Sequence, residues 1–219
     1  GLNLYDVEVG GLGSADVTLV GALTGPVSGS LVFDATGQQA TFIKTGSPLA
    51  PDTYTVTLRS GLTGLRDQSG GLLDGNQAAG AGDAYLAAFV VIPTAAPSLS
   101  LPDFARGPGQ LVNLPATGSG IPIRISDGRT VESIDLTFTY DPALLTITGV
   151  TPAATLPAGA IVQPNLTIPG TVRITIASPT PLNPGAQYLV HLQASVPSTA
   201  PYGAKQVLDF TAVTINEQP

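Results

Sequence analysis

Apolar residues in this chain alternate with polar ones over runs of four to eight residues, then stop at Gly, Pro, Asn or Asp. A period of two marks an extended strand with one face buried, and the interrupting residues are the ones that turn a chain. No stretch keeps the 3.6-residue period of a helix. "ADVTLVG", "GSLVFDA", "QQATFIKT", "DTYTVTLRS" and "AYLAAFVVI" read as strands in the first part. "PSLSLPDF", "GQLVNLP", "IPIRIS", "VESIDLTFTY", "LLTITGV", "AIVQPN", "TVRITIAS", "AQYLVHLQASV" and "VLDFTAVTI" do so in the second. The 26 glycines and 20 prolines supply the punctuation, and hydrophobic residues at 43% supply a core. The pattern predicts an all-β protein built as tandem β-sandwiches.

The 219 residues suit two ordinary domains. "VIPTAAPSL", Val91 to Leu99, has two prolines, small residues and no charge. It divides an acidic first part from a more balanced second part, so the expected domains are 1–93 and 94–219. So short a linker, stiffened by proline, is expected to allow limited swivel.

The net charge is -7, and only 8 Lys and Arg residues are scattered through the sequence. That excludes the basic footprint of a nucleic-acid binder, and no basic amphipathic helix is present to hold an anionic membrane. No apolar run approaches the roughly 20 residues of a membrane-spanning helix. The first residues read as a strand and not as a signal peptide, so a fragment or mature product is expected. With no Cys, disulfides and thiolate metal sites are excluded.

In Val131–Pro152, Ile134, Leu136, Phe138 and Tyr140 alternate with Ser133, Asp135, Thr137 and Thr139. One face of that strand is apolar and the other polar. Asp141-Pro142 then starts a turn, because proline presets its backbone angle and Asp can bond its own backbone. "TYDPALLTITGV", followed by "TVRITIAS", "GAQYLVHLQASVPSTAPYG" and "VLDFTAVTIN", resembles the cohesin domain in both signature and strand order, over Ser98 to Gln218. The resemblance implies a nine-stranded jelly-roll sandwich that binds a dockerin-like module, and the same parent polypeptide is one expected source of that module. It also implies a face with polar contact residues five and seven positions before the tyrosine, here Asp135 and Ser133. Asp135 matches the usual aspartate, whereas Ser133 stands where an asparagine is usual. Thr137 lies on the same polar row. Arg173, Thr175, His191 and Gln193 are expected to flank that row if the neighbouring strands pair as in the family. Alternating polar residues are also what any solvent-facing strand shows.

In the first part, "SPLAPDTYTVTLRSGLTGLRDQSGGLLDG" resembles the C-terminal half of a bacterial Ig-like domain of the S-layer and adhesin type. The resemblance implies a first strand that this chain lacks, through a cut end or an edge left open for another chain. The loop "RDQSGGLLDGNQAAGAGDAY" gathers Asp67, Asp74, Asn76 and Asp83 among glycines. Those four side chains are candidate ligands for a structural calcium ion, since calcium takes six to eight oxygens. No Glu closes the loop and no helix flanks it, so it is not the helix–loop–helix pattern. The competing reading is that Asp67 and Asp74 close Asx-turns and Asp83 caps a strand.

Nothing in the sequence forms a catalytic constellation. His191 is the one histidine, no nucleophile elbow is present, and no glutamate lies in a recognisable motif. "NLT" at Asn165 matches a glycosylation acceptor of eukaryotic secretion. The expected function is non-catalytic protein–protein recognition by a secreted or cell-surface bacterial protein. A purely structural adhesin or S-layer spacer is the alternative. Carbohydrate binding comes third, weakened by the absence of Trp and an aromatic content of 5%.

Overall fold

The structure, a computed structural model, describes residues 14–33, 39–44, 48–67, 69–78, 80–93, 96–114, 118 and 120–216. The strand read at Gly1–Gly10 and the linker residues Thr94 and Ala95 lie outside the described residues. The chain divides into two compact units, Gly1–Ala95 and Ala96–Pro219. The described residues form strands and turns with no helix, which agrees with the all-β expectation.

In the first unit the strands are β1 (Val17–Gly21), β2 (Gly25–Pro26), β3 (Gly29–Phe33), β4 (Ala40–Lys44), β5 (Asp52–Leu58) and β6 (Tyr85–Val91). A four-stranded antiparallel sheet runs β2-β1-β5-β6, and β3 pairs with β4 in a separate hairpin. Leu19, Val27 and Tyr54 are buried together, with Phe42 of β4 packed against them. Asp52 sits at the start of β5 because its carboxylate ties down the β1–β2 turn. Its Oδ2 accepts hydrogen bonds from the Leu23 and Thr24 amides at 2.9 and 2.8 Å and from the Thr24 hydroxyl at 2.9 Å.

The second unit holds β7 (Leu99–Ser100), β8 (Leu111–Val112), β9 (Ile121–Ile125), β10 (Ser133–Thr139), β11 (Thr146–Pro152), β12 (Ile161–Asn165), β13 (Thr171–Ala177), β14 (Gln187–Ser195) and β15 (Asp209–Ile215). These make two sheets, one in the order β12-β13-β10-β15 and one in the order β11-β14-β9-β7, with β8 pairing with β14. Their apolar rows meet in one core, where Ile134, Leu136 and Phe138 of β10 pack with Ile121, Ile123 and Ile125 of β9 and Leu189 and Leu192 of β14. Burying each of these large side chains is worth roughly 1.5–3 kcal/mol.

The turn after β10 forms as its sequence requires. Asp141 Oδ1 accepts the Ala143 amide at 2.8 Å, and the Asp141 carbonyl accepts the Leu144 and Leu145 amides. The chain returns to the core at Leu145, which is fully buried.

Candidate docking face

β10 is an inner strand of its sheet, between β13 and β15, so its outward side chains stand in the middle of a broad face. Its alternation is strict. Ile134, Leu136 and Phe138 are buried, while Ser133, Asp135, Thr137 and Thr139 are half-exposed on the other side. Across the ladder to β13, Asp135 faces Thr175 and Thr137 faces Arg173.

Arg173 therefore reaches Asp135 diagonally. Its Nε donates to Oδ1 at 3.1 Å and its Nη2 to Oδ2 at 2.8 Å, while the Thr175 hydroxyl donates to Oδ2 at 3.0 Å. Charge-assisted bonds of this kind favour the ionised acid. The Arg173 hydrogen bonds hold the Asp135 carboxyl below the usual aspartate range, against partial desolvation, with Thr175 adding to the effect. At neutral pH the centre of the face is thus an oriented carboxylate whose charge is largely balanced by its neighbour.

Around this pair the face is mostly polar, with Ile161 exposed in line with Ser133 and Asp209 opposite Thr139 towards its ends. On β12, Gln163 lies opposite Thr175 and Asn165 opposite Arg173. On β15, Thr214 lies opposite Asp135 and Ala212 opposite Thr137. Gln163, Asn165 and Thr214 were not among the residues expected from sequence, although the alternation of "AIVQPN" and "VLDFTAVTI" carries that information once the strand order is known.

Two of the expected flanking residues are elsewhere. His191 and Gln193 belong to β14, in the opposite sheet, where they face Thr151 and Gly149 of β11. The strand beside β10 on that side is β15. The expectation paired β10 with the wrong late strand, because both β14 and β15 are long, alternating and apolar enough to serve as its neighbour. Ser133, Asp135, Thr137, Arg173 and Thr175 are together on one sheet, and His191 and Gln193 are not with them.

In the glycine-rich loop of the first unit, Asp67, Asn76 and Asp83 are hydrogen-bonded within the loop. Asp67 Oδ1 accepts from the Ser69 amide, the Ser69 hydroxyl and the Gly71 amide at 2.8, 2.7 and 2.7 Å. These bonds, the Ser69 hydroxyl foremost, lower the Asp67 pKa. Asn76 Oδ1 accepts the Ala78 amide at 2.8 Å, and Asn76 Nδ2 donates to Asp83 Oδ2 at 3.0 Å. The Gly75 amide bonds the Asp83 carbonyl, and the Gly82 amide bonds that of Leu73. Asp74 takes no part in these bonds. Among the described residues no three His, Asp or Glu side chains converge on a point that could hold a metal ion. Asp67 thus closes a turn on its own backbone, as the Asx-turn reading expects, and Asn76 ties Asp83 across the connection.

Comparison with known proteins places the second unit. No curated protein matches the sequence. Among solved structures, CaCohA2 from Clostridium acetobutylicum shares 27% identity, with 55% of this chain and 74% of that one covered and a TM-score of 0.41. CaCohA2 in complex with CaDoc0917 aligns at 22% identity over 55% of this chain and 86% of that one, with a TM-score of 0.43. A non-cellulosomal cohesin from the archaeon Archaeoglobus fulgidus aligns at 18% identity over 43% and 64%, with a TM-score of 0.37. The family model of the cohesin domain matches residues 109–218, half of the chain and nearly all of the two-sheet unit described above. Through that unit, the chain belongs to the cohesin family.

Proposed function

We propose that the second unit is a docking module that takes a dockerin-like protein on the outer face of the β12-β13-β10-β15 sheet. Cohesins are a non-catalytic docking family, and this chain is read as having no enzymatic role. The observation that carries the placement is Asp135, which projects from the sheet's inner strand and is oriented by Arg173 and Thr175. Ser133 and Thr137 continue the row along β10. A carboxylate already held in place loses little freedom when a partner's hydroxyl or amide bonds it, and preorganisation of this kind favours specific binding.

Secretion or cell-surface display by a bacterium is part of the same reading, as is a partner module encoded in the parent polypeptide. The first unit is read as an Ig-like spacer. The Tyr54 hydroxyl donates to the Ala50 carbonyl at 2.8 Å, four residues upstream, as a tyrosine corner does in such sandwiches.

Calorimetry of the full chain against purified dockerin modules tests the docking role. Binding is expected to weaken at least tenfold in Asp135→Ala and in Ser133→Arg. A dockerin that binds both variants as it binds the original chain would remove this face from the account.

A further inference from the structure

The opposite sheet of the cohesin unit carries a second and chemically different surface. β14 is irregular where it pairs with β9. Tyr188 faces Arg124, but Val190 faces Ile123, so the register slips at Leu189. Residues three apart on a regular strand point to opposite sides. The bulge cancels that, as bulges do when they re-aim a side chain. Leu189 and Val190 both stay buried, while Tyr188 and His191 emerge on the outer face with ring centroids 5.8 Å apart.

Arg124 stands directly across the ladder from Tyr188. It is exposed between the buried Ile123 and Ile125, and no hydrogen bond or ion pair among the described residues holds its guanidinium. The strands of this sheet, β7, β8, β9, β11 and β14, contain no Asp or Glu, in a chain that has 15 of them. An acidic protein has thus kept one sheet free of carboxylates and placed there an open arginine, its single histidine and a tyrosine that is 41% exposed.

We propose that Arg124, Tyr188 and His191 form a binding site for an anionic saccharide, a pyranoside that bears a carboxylate. A guanidinium fork matches a carboxylate through two parallel hydrogen bonds. The tyrosine ring offers an apolar surface for the C–H face of a sugar and a hydroxyl for its edge. At one edge Leu111 is exposed opposite Ser195, whereas beside the two rings the face is hydroxyl and amide, with Gln193 Nε2 donating to Thr151 Oγ1 at 3.0 Å. That suits a hydroxylated ligand better than a protein, whose interfaces centre on a desolvated apolar core.

The site lies on the sheet opposite Asp135 and does not depend on the docking reading. The test is calorimetry of the full chain with an oligogalacturonate, a neutral galacto-oligosaccharide of equal length and poly-L-glutamate. The oligogalacturonate is expected to bind at least tenfold more tightly than the other two. Arg124→Ala and Tyr188→Ala should each weaken it at least tenfold with melting unchanged, while Asp135→Ala binds it normally. Absence of oligogalacturonate binding, or equal binding in both variants, overturns the site. Poly-L-glutamate binding as tightly would also overturn it, in favour of an acidic protein partner.

Discussion

Arg173 grips both carboxylate oxygens of Asp135 from the neighbouring strand, at 3.1 Å through Nε and 2.8 Å through Nη2. The two groups sit on a solvent-facing sheet, and the arginine side chain is 62% exposed. Exposed pairs contribute only about 0.2–1 kcal/mol to folding, because water screens them and both side chains lose freedom. The contact therefore orients the carboxylate more than it holds the fold. A double-mutant cycle with Asp135→Ala and Arg173→Ala, followed by urea unfolding, should return a coupling of about 1 kcal/mol or less. A coupling of several kcal/mol would make the pair a structural lock instead.

Asp52 has the opposite emphasis. Burial is the largest single influence on its carboxyl and opposes ionisation, yet the bonds from Thr24, Leu23 and Thr53 together outweigh it and lower the pKa. A depressed folded-state pKa adds stability that is complete above the unfolded value of about 3.9. That stability is lost as pH falls through the lower folded value. The melting temperature of the first unit should therefore hold between neutral pH and pH 5 as far as this group is concerned, then fall in acid. In Asp52→Asn the unit should melt lower at neutral pH and lose part of its acid sensitivity. An unchanged acid limb in that variant would show that the Ala22–Thr24 turn does not depend on the charge.

Gly120 leads into β9 with φ of 120°, and a Cβ there would lie 2.0 Å from the Leu192 carbonyl oxygen. Backbone cannot yield as a side chain can. Gly120→Ala should cost at least about 1–3 kcal/mol from the conformation alone, with the clash adding to it. Phe138→Ala, which empties a fully buried site, should cost about 3–5 kcal/mol. Both are readable by urea unfolding of the second unit, and a loss below 1 kcal/mol in either would contradict the packing described.

The loop from Arg66 to Tyr85 should ignore calcium. A ligand that binds only the folded state raises stability by mass action, so millimolar calcium and excess chelator should give the same melting temperature. Asp67→Ala, by contrast, should lower it, because three bonds to Oδ1 are lost. A rise with calcium of several degrees would mean that the acids rearrange around an ion.

The strands were legible because alternation is a local property. Ile134 to Tyr140 declares its buried face within a few residues, and Asp141-Pro142 declares its turn, so Asp135 could be assigned to the outside before any partner strand was known. Strand order is not local. Whether β14 or β15 lies beside β10 depends on pairings made across more than fifty residues, and both have the composition for it, hence the misplacement of His191 and Gln193. The bulge at Leu189 was illegible for a related reason. A slip of one residue leaves no mark in "YLVH", since Leu189 and Val190 are equally apolar and only the ladder to β9 shows both turned inward. In the acidic loop composition left both readings open, because a carboxylate that serves its own backbone has the same spelling as one that serves a metal.

The two sheets of the cohesin unit share one interior and point their polar rows in opposite directions. Material held on one side leaves the other uncovered. With both proposed faces occupied, such a unit would act as a rivet, fastening a protein on one flank and a second substance on the other, with neither crowding its counterpart.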